Sequence, residues 1–180
     1  MAAASFGGLA GLAMAGILGA GKADAHYTWY CDSVNGAAEI VFEDTTSFDT
    51  EFNHAIATWN GHNTISIFHD PGIWVSTTLE LGDFYDPNGP AGQYVCYFGV
   101  KANTAKMNTA NVSSNPDVRK KIATHEIGHA LRLDHNDIAG DVMKQGLFAL
   151  SPNTCLGDHT HADFHGYWGA GSAHNGGCGK

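Results

Sequence analysis

The segment from His125 to His135 combines residue types and spacings that suit a catalytic metal site. His125 and His129 stand at positions i and i+4, so a helix would place both imidazoles on one face. The third histidine, His135, follows after that helix would have turned away. Catalytic zinc typically takes three protein ligands and keeps a further position for water. The segment therefore predicts a single zinc ion held by three histidines.

Glu126 is the residue of this segment that suits a general base. It directly follows the first ligand, so its carboxylate would lie near the metal without being a ligand. From there it can take a proton from a zinc-activated water, without a covalent intermediate. A distant Glu as third ligand is not supported, because no Glu follows Glu126 in the chain. Asp134, Asp137 and Asp141 are alternative oxygen ligands, but His135 fits better by spacing and ligand type.

Two interpretations without catalysis stay open. One is a secreted zinc-binding module, or pseudoprotease, that lacks proteolytic activity. The other is a metal-free extracellular binding domain in which the histidine spacing is accidental. Glu126 favours the enzyme over both, because a purely structural zinc site needs no general base.

The same segment resembles the signature of the metzincin zinc metalloproteases, H-E-x-x-H-x-x-G-x-x-H followed by a Met-turn. Met143 follows His135 at the distance of the Met-turn. The chain is most similar to matrixin-like catalytic domains of secreted bacterial proteases, with weaker similarity at Phe52–Asn60 and His161–Gly169. This resemblance implies zinc endopeptidase activity and an apolar floor below the zinc, formed by Met143. The ligands it implies are His125, His129 and His135, with Glu126 as the base.

Two positions depart from the family pattern. The family glycine that ends the catalytic helix in a left-handed conformation is Arg132 here. A residue with a side chain costs about 1–2 kcal/mol in that conformation, which would loosen the turn that brings His135 to the metal. Gln145 stands where some metzincins carry a tyrosine as an extra ligand, in keeping with the matrixin-like branch.

The resemblance also implies how a peptide substrate would bind. The peptide would pair antiparallel with an edge strand expected at Gln93–Lys101, with Tyr94 and Cys96 beside it. The chain after the Met-turn would form the pocket for the residue that follows the scissile bond. Apolar residues in that part of the chain predict a preference for apolar or aromatic side chains; they are Leu147, Phe148 and Leu150.

Hydrophobic periodicity and turn residues predict an α+β domain. The resemblance specifies a metzincin-like zincin fold: a mixed twisted sheet, an early helix, a catalytic helix, a Met-turn and a short C-terminal helix. Asn115 as N-cap and Pro116 at the first position open the catalytic helix. The expected strands are Ala38–Glu43, Thr64–His69, Ile73–Leu81, Tyr94–Lys101 and Thr104–Thr109. The other expected elements are helices at Phe48–Asn60 and near Asp158–Tyr167, and a loop at Gly82–Gly92.

Length and composition fit one exported domain. The chain has 180 residues, 43% of them hydrophobic, which predicts a single catalytic domain at residues 26–180. Residues 1–25 are expected to be a signal peptide, because an apolar stretch precedes Ala23-Asp24-Ala25. That stretch is too short to cross a bilayer well, so a secreted, extracellular protein without stable membrane association is expected. The net charge of −9 argues against nucleic-acid binding. We expect protein or peptide substrates, and we expect the protein to be a monomer.

The four cysteines also fit export. Widely spaced and even in number, they predict two disulfides in an oxidising compartment rather than a metal site. Three pairings are open. We expect Cys31–Cys96 with Cys155–Cys178, because the last two share the C-terminal segment.

A second metal site is not expected from the sequence. The pattern that matrixins use for a structural zinc and for calcium is not visible here, so calcium is unsupported. His69-Asp70 alone is a weak signal. His161 and His165, at i and i+4, could face together, but the family helix is structural at that point.

Overall fold

A computed structural model describes residues 31–72, 76–146 and 156–169. Within these ranges the chain forms five strands and three helices, so the predicted α+β class is confirmed. The strands are β1 (Glu39–Asp44), β2 (Ser66–His69), β3 (Leu79–Phe84), β4 (Gly92–Val95) and β5 (Asn103–Asn108). The helices are α1 (Asp49–Asn60), α2 (Pro116–Ala130) and α3 (Asp158–Trp168).

The strands form one mixed sheet in the order β2-β1-β3-β5-β4. The first four strands of that order run parallel, whereas β4 pairs antiparallel with β5 at the edge. β5 lies inside the sheet, and its residues Thr104, Ala105 and Met107 are buried. Because β4 is the last strand of this order, its outer side is suited to pair with an extended chain.

A buried tryptophan joins the three helices. Trp59 on α1 donates its Nε1–H to the carbonyl oxygen of Thr124 on α2, at 3.0 Å. Its ring also packs on Phe164 of α3, with 5.4 Å between ring centres. Trp59 and Phe164 are almost fully buried, within a core that includes Ile40, Leu79 and residues of α2. The packing fixes the position of α2, the helix that carries the candidate ligands.

The third strand was predicted at the wrong boundaries. Among the described residues it covers Leu79–Phe84 rather than 76–81, so the chain leaves the sheet only after Phe84. Residues 73–75 of the predicted strand lie outside the described residues. All six residues of β3 pair with β5, and this ladder carries the strand through Gly82. The local sequence does not reveal that β3 pairs with β5. Without that pairing, a glycine at this position indicates the end of a strand, because glycine weakens a strand interior.

The edge strand is shorter than predicted. β4 covers Gly92–Val95 rather than extending over Tyr94–Lys101. Phe98 and Gly99 adopt positive φ values of 51° and 78°, which turn the chain out of the sheet. The expected substrate-pairing edge is therefore restricted to the first part of the predicted strand.

One of the two expected disulfides lies within the described ranges. Cys31 and Cys96 are bonded, which confirms that pair and ties the chain before β1 to the end of β4. Cys155 and Cys178 lie outside the described residues, as do the expected signal peptide and the Gly-rich tail. In the part of the chain that the structure describes, every helix is too short or too polar to cross a bilayer.

Candidate metal centre

Helix α2 carries the first two candidate ligands. Its N-terminus is capped as predicted: the Asn115 side chain accepts the Asp117 N–H at 2.9 Å, and Pro116 is the first helical residue. His125 and His129 lie in the C-terminal half of the helix, and both are buried. The helix therefore presents the two imidazoles one turn apart, on the side of the protein where the candidate site forms.

The end of α2 brings the third candidate ligand to the first two. Arg132 has a positive φ of 70°. Its N–H donates to the His129 carbonyl at 2.9 Å, and the Leu133 N–H donates to the Gly128 carbonyl at 3.0 Å. These two bonds form a Schellman motif, in which a left-handed residue ends the helix. Arg132 therefore makes a turn for which glycine is the usual residue, and His135 lies beside the other histidines.

The side chain of Arg132 makes contacts that offset this backbone conformation. Its guanidinium carbon lies 4.7 Å from the centre of the Tyr167 ring, and Nη1 donates to the Tyr167 hydroxyl. Nη1 also lies 3.8 Å from a carboxylate oxygen of Asp32. A cation–π contact and a partly exposed ion pair each contribute up to about 1 kcal/mol. Together they are comparable with the cost of about 1–2 kcal/mol for a left-handed residue with a side chain.

The ligand nitrogens of the three histidines converge. Nε2 of His125 lies 3.1 Å from Nε2 of both His129 and His135, and the remaining pair is 3.2 Å apart. In a tetrahedral site with Zn–N distances of about 2.0–2.1 Å, ligand nitrogens are roughly 3.3–3.4 Å apart. The observed triangle is close to that spacing, so the three predicted ligands are brought together as a metal site requires.

Hydrogen bonds orient two of these rings. Nδ1 of His125 is 2.7 Å from the Val142 carbonyl oxygen, and Nδ1 of His129 is 2.7 Å from the Leu133 carbonyl oxygen. Because a carbonyl only accepts, each Nδ1 carries the proton and each Nε2 presents a lone pair. Burial lowers the pKa of His125 well below its usual value and lowers that of His129 to about 4. Both rings are therefore neutral at pH 7, the state that metal ligation needs.

The donor set fits a transition metal. The Nε2 atoms of His125 and His129, each with a lone pair, lie only 3.1 Å apart, an arrangement that a cation bound to both would stabilise. Imidazole nitrogen suits zinc, copper, iron and nickel, whereas calcium and magnesium prefer oxygen ligands. The three histidines could thus hold a metal ion, and they match zinc in ligand type and spacing.

Glu126 lines the same cleft as the three histidines and is buried. Burial raises the pKa of its carboxyl to about 8, opposed by a hydrogen bond from the backbone N–H of Tyr94. A nearby dication would lower this pKa again. A carboxyl whose pKa lies close to the working pH can accept and return a proton, so Glu126 is suited to acid–base chemistry.

Gly92 allows the edge strand to approach this carboxylate, and sequence reasoning missed it. A Cβ at this position would lie 2.5 Å from Oε1 of Glu126 and 2.7 Å from Cγ2 of Ile122. Both side chains are buried, so they have little space to move away. Gly92 was expected only as a loop residue. Its role depends on contact between β4 and α2, which sequence spacing does not reveal.

Met143, which is expected to form the floor of the site, lies against α2. Its side chain is almost fully buried and faces Gly128, where an added Cβ would overlap the Met143 sulfur. The same Cβ would lie 3.2 Å from Cζ2 of Trp59. The residue before it, Val142, supplies the carbonyl that orients His125. The turn at Met143 therefore fills the space below α2 and orients a candidate ligand.

Asp141 holds this turn in place. Its buried carboxylate accepts the Met143 N–H at 2.9 Å, the Asn136 amide at 3.1 Å and the Thr160 N–H at 3.1 Å. Because Thr160 belongs to α3, Asp141 connects the turn to the last helix. The sequence suggested Asp141 only as an alternative metal ligand. The structure places its carboxylate in this hydrogen-bond network.

A cleft of about 550 Å³ contains the histidines and Glu126. Its other lining residues come from β4, from the two residues before β4 and from the chain after Met143: Pro90, Ala91, Gly92, Gln93, Tyr94, Gln145 and Gly146. Tyr94 is thus where it was expected. Cys96 is not among the lining residues, because it follows the end of β4 and is bonded to Cys31. Leu147, Phe148 and Leu150 lie outside the described residues.

No known family model matches the chain, and no curated protein sequence matches it.

Proposed function

We propose that this protein is a secreted, zinc-dependent endopeptidase with a metzincin-like catalytic site. The observation that carries the proposal is the convergence of three histidine Nε2 atoms in a cleft that also holds the buried carboxyl of Glu126. His125, His129 and His135 would hold the zinc ion. Met143 would form the floor of the site, as in the Met-turn that the sequence resembles.

Zinc bound here would act as a Lewis acid on the scissile carbonyl and would activate the attacking water. Glu126 accepts a proton from that water at its carboxylate and delivers it to the leaving amine. The Tyr94 N–H holds the carboxylate against β4. His125 and His129 stay neutral through burial, and their Nδ1–H bonds fix the direction of each ring.

The substrate would bind along β4. Gln93 and Tyr94 belong to this edge strand and line the cleft, so an extended peptide added there would pass the site. Pairing through backbone hydrogen bonds holds a peptide irrespective of most of its side chains. The Tyr94 ring lies nearly parallel to the His129 ring, at 29° with 6.4 Å between ring centres, and forms one wall of the cleft. This arrangement favours protein or peptide substrates over small molecules.

Export is supported by the disulfide between Cys31 and Cys96. Such bonds persist mainly in oxidising compartments and are uncommon in reducing ones. The bond also anchors the end of the proposed substrate-binding strand, which would help an extracellular protease keep its cleft in shape.

Metal analysis combined with casein digestion tests the proposal. The protein should contain zinc after gel filtration in metal-free buffer, and it should cleave casein. A chelator should stop cleavage, and added zinc should restore it. Zinc without cleavage would support a zinc-binding module instead. A folded protein that binds no zinc would remove the basis of the mechanism.

A further inference from the structure

A second group of three histidines lies between α1 and α3, apart from the proposed catalytic site. His62 follows the end of α1, while His161 and His165 stand one turn apart on α3. Each offers one ring nitrogen, and these three atoms lie within 4.8 Å of one another. His62 is fully buried, and the other two are half-buried. The group thus combines an i, i+4 pair with a distant third histidine, as the first site does.

The direction of one ring in this group is fixed. Nδ1 of His165 lies 3.0 Å from the Gly169 carbonyl oxygen, which can only accept a hydrogen bond. Nδ1 therefore carries the proton, and Nε2 presents its lone pair. That Nε2 lies 3.4 Å from Nδ1 of His62, close to the roughly 3.3–3.4 Å that separates two nitrogens on a tetrahedral zinc ion. A carbonyl bound to the other ring nitrogen is the usual support of a metal-ligating histidine.

Aromatic packing accounts for only part of this arrangement. His62 packs on Trp59 and Phe164, with 6.1 Å and 5.3 Å between ring centres, so its ring also belongs to the core. The rings of His161 and His165 lie at the edge of that core, 5.1 Å and 5.4 Å from the His62 ring. Packing alone does not require that ring nitrogens from α3 and from the chain after α1 lie within 4.8 Å of one another.

We propose that His62, His161 and His165 bind a second transition-metal ion, which fastens α3 to α1. Three imidazole donors select zinc, copper, nickel or cobalt over calcium and magnesium. Structural zinc sites contribute directly to folding stability. Helix α3 also takes part in the hydrogen-bond network that holds the turn at Met143, because the N–H of Thr160 on this helix donates to Asp141. A metal at this site stabilises a helix on which the floor of the first site depends.

The decisive measurement is zinc content after gel filtration in metal-free buffer. The wild-type protein should hold two zinc ions, one for each histidine group. His161→Ala and His165→Ala should each hold one. The control His54→Ala removes a half-buried histidine of α1 that belongs to neither group, and it should still hold two.

A variant without the first site makes the test independent of proteolysis. The double variant His125→Ala/His129→Ala should retain one zinc ion, and adding His161→Ala should remove it. At a free zinc concentration 100 times Kd, zinc should raise the Tm of the double variant by about 5–10 °C. A double variant that is folded by circular dichroism but binds no zinc overturns the proposal. Unchanged zinc content in His161→Ala and His165→Ala overturns it as well.

Discussion

The left-handed conformation of Arg132 predicts that replacement by glycine and by alanine will have different effects on stability. At φ 70°, any residue with a Cβ is strained. Arg132→Gly removes both the strain and the side-chain contacts. Arg132→Ala removes the contacts with Tyr167 and Asp32 but keeps the strain. The two variants therefore separate the backbone contribution from that of the side chain.

The expected magnitudes follow from the contacts. The cation–π contact with Tyr167 and the partly exposed pair with Asp32 contribute together about 1–2 kcal/mol. Relief of the left-handed strain stabilises the glycine variant by about 1–2 kcal/mol. The greater freedom of glycine in the unfolded chain destabilises the same variant by about 0.4–1 kcal/mol. Arg132→Gly should thus stay within about 1 kcal/mol of wild type. Arg132→Ala should lose about 1–2 kcal/mol, leaving glycine more stable than alanine by about 1 kcal/mol.

Urea unfolding of the chelator-treated proteins, with the disulfide intact, measures these differences without a contribution from metal binding. A gap of about 1 kcal/mol corresponds to a Tm difference of about 2–4 °C for a chain of this size, which thermal unfolding can check. Equal stability of the glycine and alanine variants would refute the reasoning, because it would mean that the backbone at this position is not strained.

Three further changes test other contacts. Gly128→Ala would push a Cβ into the buried side chain of Met143 and should weaken zinc binding about tenfold, as measured by chelator competition. The control Gly36→Ala adds a Cβ that would meet open space, and it should leave the zinc affinity unchanged. Gly92→Ala would displace the proposed general base and should lower kcat/KM for a peptide about 10- to 100-fold at unchanged zinc content; equal activity would contradict the contact. Replacing Cys31 and Cys96 by serine opens a loop with a sequence separation of 65 and should cost about 4 kcal/mol in urea unfolding; a negligible loss would contradict a structural role.

Features encoded within a few residues of sequence were predicted well. The approach of His125 to His129 follows from helical spacing, and the start of α2 follows from Asn115 and Pro116. The left-handed turn before His135 was implied by the resemblance to metzincins, which carry a glycine at this position, and Arg132 makes that turn here.

Features that depend on distant contacts were not predictable in the same way. The contacts that stabilise Arg132 come from Asp32 and Tyr167, which are remote in sequence. The pairing of β3 with β5 decided where the third strand ends. His62 and His165 are separated by 103 positions, and only the packing of α1 against α3 brings them together. Periodicity reports the face of a helix, but it does not report which distant segment will cover that face.

The most direct test of the proposed peptidase is the activity of Glu126→Gln, which keeps the size of the side chain but removes its ability to accept a proton as a carboxylate. We predict the same zinc content as wild type and a kcat/KM about 10²- to 10⁴-fold lower on a fluorogenic peptide, the range expected for loss of a general base. A zinc-loaded Glu126→Gln protein with activity close to that of wild type would contradict the proposed mechanism.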